Sequence, residues 1–111
     1  MMSGVPQRNQ APIPAEVEDL VVLGISRPKV AILVGLARFG GAATVSALVD
    51  ETGLIRPTVF RMMRSLEGAG YVSGSIPPDE RRGGVEVTWT LQTPKLARDL
   101  QALISTVQPT P

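Results

Sequence analysis

A mainly α-helical fold with one small β-hairpin is what this chain predicts, on three observations. Four segments carry apolar residues at helical spacing, a later one alternates apolar with polar residues, and glycines and prolines punctuate the joins. At 111 residues and 43% apolar content the chain is long enough for one small domain with a single core.

Residues 1–14 hold Gly4, three prolines and mostly polar neighbours, a composition that cannot bury enough surface to offset the entropy of ordering. They are expected to form a flexible N-terminal arm. A short lead-in helix is expected from Ala15 to Leu23, where Glu16, Glu18 and Asp19 place negative charge in the first turn. Ser26 then stands as an N-cap with Pro28 tolerated behind it. Val30, Leu33, Val34 and Ala37 form the stripe of the first core helix, widened by Ile32, Leu36 and Phe39 and ended by Gly40 and Gly41.

Thr44 caps the next helix, Val45, Leu48 and Val49 line its inner face, and Gly53 supplies the left-handed residue that ends it. A third helix opens near Arg56 and Pro57. Val59, Met62, Met63 and Leu66 fall on one side of it, which is expected to leave Thr58, Arg61, Arg64 and Ser65 on the other. Gly68 and Gly70 stop the pattern, and Tyr71 to Ile76 has the length of a strand. A polar loop from Pro77 to Gly84 leads to Val85, Val87, Trp89 and Leu91, which alternate with Glu86, Thr88, Thr90 and Gln92 as a half-buried strand does. Thr93 as cap and Pro94 in the first turn begin a last helix with Leu96, Leu100, Leu103, Ile104 and Val107 on one face. The expected organisation is an arm over 1–14, a domain over 15–93, a C-terminal helix over 94–107 and a disordered end over 108–111.

Composition excludes much chemistry. There is no cysteine and no histidine, so disulfides, thiolate metal sites and imidazole proton shuttles are ruled out. No nucleophile, Gly-rich phosphate loop or metal constellation accompanies the carboxylates Glu16, Glu18, Asp19, Asp50 and Glu51, so the chain is expected to be no enzyme and to need no cofactor and no metal. Met62, Met63 and Trp89 read as core residues. No apolar run approaches the roughly 18 residues of a membrane span, and no basic start with an apolar core marks a secretion signal. A cytoplasmic location without a membrane partner is expected. Net charge is only +1, so affinity for a polyanion must come from local clustering of charge.

Such a cluster exists. Arg56, Arg61 and Arg64 lie on the third helix with no acid between them. The stretch GAATVSALVDETGLIRPTVFRMMRSLEGAGYV, followed by DERRGG and VTWTLQTP, resembles the winged helix-turn-helix of bacterial regulators of the MarR and ArsR kind from about Ser26 to Gln92. Leu48 and Val49, Gly53 and Leu54, Val59 and Met62, and the ending Leu66, Glu67, Gly70, Tyr71, Val72 stand where such domains place their signature. Ile55 departs from the usual Ser or Thr cap, and Val49 from a smaller residue at the helix crossing. The resemblance implies that the helix from Arg56 to Leu66 enters the major groove of double-stranded DNA, while the loop with Arg81 and Arg82 acts as a wing on the backbone or minor groove. Without Cys or His, metal sensing of the ArsR kind is not expected.

Arginine suits the task because its planar fork donates two hydrogen bonds to the O6 and N7 edge of guanine or to a phosphate. The candidate recognition residues are Arg56, Pro57, Thr58, Arg61, Arg64 and Ser65, with Arg61 first for base contact; those of the wing are Arg81 and Arg82. Phe60 lies off the main stripe, open either to a thymine methyl or to packing under the preceding helix. Asp79 and Glu80 stand beside the wing arginines and would mute their charge through local ion pairs. Arg27 and Lys29 read as a solvated helix end. Leu96, Leu100, Leu103 and Val107 either fold back on the domain or pair with a second copy, and a homodimer doubles the base contacts across a two-fold site. Leu20 to Leu23 add to the same candidate surface. The expected function is sequence-specific binding of double-stranded DNA by a dimeric transcription regulator. The alternatives are an architectural accessory protein of partition, replication or recombination, and a winged-helix protein-interaction module.

Overall fold

Local capping fixes the first two core helices. In the computed structural model, which describes residues 12–109, α1 (Arg27–Arg38) starts where the Ser26 hydroxyl accepts a bond from the Lys29 N–H at 3.5 Å, with Pro28 in the first turn. It ends as the Gly41 N–H donates to the Leu36 carbonyl at 2.8 Å. Helix α2 (Val45–Thr52) starts where the Thr44 hydroxyl accepts from the Ala47 N–H at 3.2 Å. Gly53, at φ +76°, turns the chain in a conformation that costs a side chain dearly. Buried Thr52 seals the same turn from inside, donating to the Leu48 carbonyl (2.7 Å) and accepting from the Leu54 N–H (3.2 Å). Gly35 lets α1 and α2 approach, since a Cβ there would meet Leu48 Cδ2 at 3.2 Å. The small residue at the crossing is thus on α1, facing Leu48, Glu51 and Thr52 of α2, while Val49 is half-buried.

Helix α3 (Arg56–Gly68) begins at Ile55 without a side-chain cap and packs on α1 and α2. Ile32, Leu36, Leu48, Val59, Met63 and Trp89 are the largest fully buried side chains of the core.

The sheet has three strands. A three-residue strand, β1 (Ala42–Thr44), joins β2 (Val72–Gly74) and β3 (Thr88–Leu91) in the order β1-β3-β2, both pairings antiparallel. Sequence gave no sign of β1 because Ala42 and Ala43 have low strand propensity and the segment is too short to show alternation. The two expected hairpin strands are shorter than their patterns: Tyr71, Ser75 and Ile76 lie outside β2, and Val85, Glu86 and Val87 belong to the loop. Within the ladder Trp89 lies opposite Ala43 on one side and Gly74 on the other, small neighbours that give the indole its space.

The expected lead-in helix is a 3-10 helix over Ala15–Leu23, tied to α1 by an ion pair between Glu18 and Arg27. Ile13, within the stretch expected to be a flexible arm, packs against the core; residues 1–11 of that stretch, and residues 110–111 of the expected disordered end, lie outside the described residues. Helix α4 (Thr93–Thr106) follows β3 directly. Its N-cap position is Gln92 rather than Thr93, and the Gln92 side chain instead donates to Ser73 Oγ at 2.9 Å. Among the described residues no helix is long and apolar enough to cross a membrane.

Candidate nucleic-acid interface

Helix α3 sorts its residues by the angle each makes with α1 and α2. Val59, Met63 and Leu66 are buried, and so is Thr58 at 4% exposure, which corrects its placement on the outer face. A buried arc wider than the apolar stripe accounts for this, because two helices cover α3 and polar Thr58 lies at the stripe's edge. Arg56, Pro57, Phe60, Arg61, Arg64 and Ser65 are exposed. At about 100° per residue, Arg64 falls between Phe60 and Arg61 near the middle of the open arc.

Among the described residues no carboxylate lies within 4 Å of the guanidinium of Arg61 or Arg64. Arg56 is held at the helix entrance, donating to Ser46 Oγ of α2 at 2.6 Å. This bond leaves the charge of Arg56 uncompensated while restricting its direction. Arg27, by contrast, is engaged with Glu18 and only 23% exposed, which corrects its reading as a solvated helix end. Phe60 is 43% exposed, beside Val45 and Ser46 of the preceding helix but not buried under it.

The loop between β2 and β3 is closed at its base by a reciprocal pair, Ser75 N–H to the Thr88 carbonyl (2.9 Å) and Thr88 N–H to Ser75 Oγ (3.0 Å). Arg82 is exposed near its tip, as a wing contact requires. Arg81 is not. Its guanidinium grips both carboxylate oxygens of Glu67 on α3, at 2.6 and 3.1 Å, its Nε donates to the Ile76 carbonyl at 2.8 Å, and it lies 4.6 Å from the centre of the Trp89 ring. Arg81 is therefore an internal anchor of the wing and not a free cation for phosphate. Gly74 makes this possible, since a Cβ there would collide with Arg81 Nη2 and press on Val87 Cγ1 at 3.1 Å. The expected muting of wing charge by neighbouring acids gives way to a partner from another element, Glu67. No local sequence signal distinguishes Arg81 from Arg82, because the pairing depends on how the wing folds back on α3.

The hydrogen bonds from Arg81 hold the Glu67 carboxyl below its usual range against the opposing effect of burial, and the charges of Arg81 and Arg64 add to the lowering. A carboxylate whose pKa falls on folding adds stability that is complete above its unfolded pKa of about 4.3 and is lost as pH drops through the lower folded value. Urea unfolding midpoints of the wild type should therefore fall between pH 5 and pH 3 by more than those of Glu67→Gln, and equal falls would deny the pair a role in stability.

Between α3 and the wing runs a cleft of 690 Å³, its lining including Phe60, Arg64, Arg82, Val85 and Trp89 together with the paired Arg81 and Glu67. A smaller one of 320 Å³ continues past Ser46, Arg56, Phe60 and Val85. Cations thus stand on both sides of an apolar floor, an arrangement that can take a sugar-phosphate strand between helix and wing.

On α4 no residue is buried: Leu100, Leu103, Ile104 and Val107 are 42–65% exposed and Leu96 is half-buried. The stripe therefore does not fold back on its own domain. Val22 and Leu23 of the lead-in 3-10 helix are exposed as well, at 85% and 70%.

A family model described as the MarR family matches residues 23–83, more than half of the chain. No curated protein sequence matches significantly. Solved structures with the same fold include BpsR of Bordetella bronchiseptica, described in terms of regulation of its DNA binding by 6-hydroxynicotinic acid, at 20% identity and TM-score 0.51 over 87% of this chain and 73% of that one. Reduced AbfR bound to DNA is similar at 20% identity and TM-score 0.55, covering 86% and 67% of the two chains. RV1404 of Mycobacterium tuberculosis is similar at 21% identity and TM-score 0.53, covering 86% and 69%.

Proposed function

The chain belongs to the MarR family of sequence-specific, double-stranded-DNA-binding transcription regulators, and we propose that two copies bind together, each with α3 in the major groove and its wing on the backbone. The observation that carries the proposal is the exposed face of α3, where Arg61 and Arg64 project without a carboxylate partner among the described residues. Base readout falls to Arg61 and Arg64, with Arg56 steered by Ser46 and with Pro57 and Ser65 beside them; Arg82 supplies a sequence-independent phosphate contact. No catalysis is involved. That one relative was solved on DNA supports the same use of the fold here.

The uncovered stripe of α4 supports the homodimer, with Leu96, Leu100, Leu103 and Val107 as its interface and Ile104, Val22 and Leu23 extending it. An apolar face of this kind on a soluble regulator is stabilised by pairing with its own copy. Leu103→Asp should shift the sedimentation coefficient from dimer to monomer, and an unchanged dimer would place the interface elsewhere. The direct test of the whole reading is selection of bound sites from a random duplex pool. A two-fold repeated site is expected, and recovery of unenriched sequence would reject it.

A further inference from the structure

Tyr71 joins the recognition helix to α4 through bonds to both. Its N–H donates to the Leu66 carbonyl in the last turns of α3 at 2.9 Å, and its carbonyl accepts from the N–H of Gln92, at the base of α4, at 2.8 Å. Its hydroxyl then reaches a full turn into α4 and donates to Asp99 Oδ2 at 2.6 Å. The same carboxylate oxygen is bonded by Lys95, whose ammonium also stands 5.1 Å from the centre of the Tyr71 ring. Since α4 has no buried residue, packing does little to fix the direction in which it leaves the domain. Among the described residues a polar latch ties the second turn of this helix to the winged unit, and a charge-assisted bond directed by a rigid phenol is well suited to fixing an angle.

We infer that Tyr71, Asp99 and Lys95 set the angle between α3 and α4, and thereby the spacing between the two half-sites that a dimer reads. They are positioning residues and touch no base. The inference rests on dimerisation through α4. Two recognition helices meet the same face of a duplex only when their separation matches whole turns of about 34–36 Å, and one base pair of error both displaces and rotates a half-site. A helix that projects from the domain acts as a lever, so a small change of angle at Tyr71 becomes a large displacement at the dimer contact.

The test uses the full chain and compares wild type, Tyr71→Phe and Asp99→Asn on duplex pools in which two copies of the selected half-site are separated by every spacing over one helical turn. Wild type should prefer one spacing over its neighbours by about tenfold, comparable to one mismatched base pair. Both variants should lose most of that preference, or move it, while affinity for a single half-site and the half-site sequence stay unchanged. A spacing profile as sharp as wild type in both variants overturns the inference and leaves the dimer reading intact. A wild type that selects no two-fold site overturns the dimer reading first. Tyr71→Phe removes one oxygen from a half-exposed ring, and its thermal melt beside the wild type separates a changed angle from a lost fold.

Discussion

Arg81→Ala should detach the wing from α3 and lower the stability of the domain by about 2 kcal/mol, between the cost of losing an exposed ion pair and that of breaking a buried one. Both side chains of the pair are about four-fifths covered, at 20% and 23% exposure, so neither limit applies alone. The substitution removes two bonds to Glu67, the bond to the Ile76 carbonyl and the cation above Trp89. Arg81→Lys should restore only part of the loss, because an ammonium cannot match both carboxylate oxygens while covering the indole. Gly74→Ala should reproduce much of the effect from the opposite side by obstructing the guanidinium. Urea midpoints measure all three. On DNA, Arg81→Ala should blur the backbone protection contributed by the wing and keep that of α3, and wild-type stability with a sharp wing footprint would show that the anchor is idle.

Arg61→Ala is expected to cost about 1–3 kcal/mol on the preferred site and much less on random duplex, as loss of the bidentate base contact proposed for it would. Arg64→Ala should act in the same direction, given its place near the middle of the open arc of α3. Arg82→Ala should weaken preferred and random duplex alike, as a phosphate contact does. Titrations of each variant against both duplexes separate these roles. Equal losses on both duplexes for Arg61→Ala and Arg82→Ala would refute the division of labour.

Where determinants are local, the chain declares them. Ser26, Thr44 and Gly53 mark helix ends through bonds that span three or four residues, and α1 begins, and α2 begins and ends, as those residues require. Trp89 on an alternating strand is buried as its pattern implies. The features that escaped depend on distant partners. The strand at Ala42–Thr44 exists because β3 offers it a ladder, and its own residues have little strand preference. Thr58 is covered because α3 is flanked by two helices, a fact of crossing geometry rather than of periodicity. Arg81 and Arg82 are adjacent and chemically identical, yet one anchors and one is exposed, according to which faces Glu67. The arginine face of α3 was legible because helical spacing alone separates Arg61 and Arg64 from Val59, Met63 and Leu66.

The measurement closest to the central claim is the salt dependence of duplex affinity for the wild type beside a variant with Arg56, Arg61 and Arg64 all changed to Gln. Each phosphate neutralised contributes about −0.9 to the slope of log K against log salt concentration. Wild type should show a steep slope and a clear preference for its selected site; the variant should lose that preference and have a shallower slope. Coincident slopes and an undiminished preference would contradict a DNA-reading role for α3.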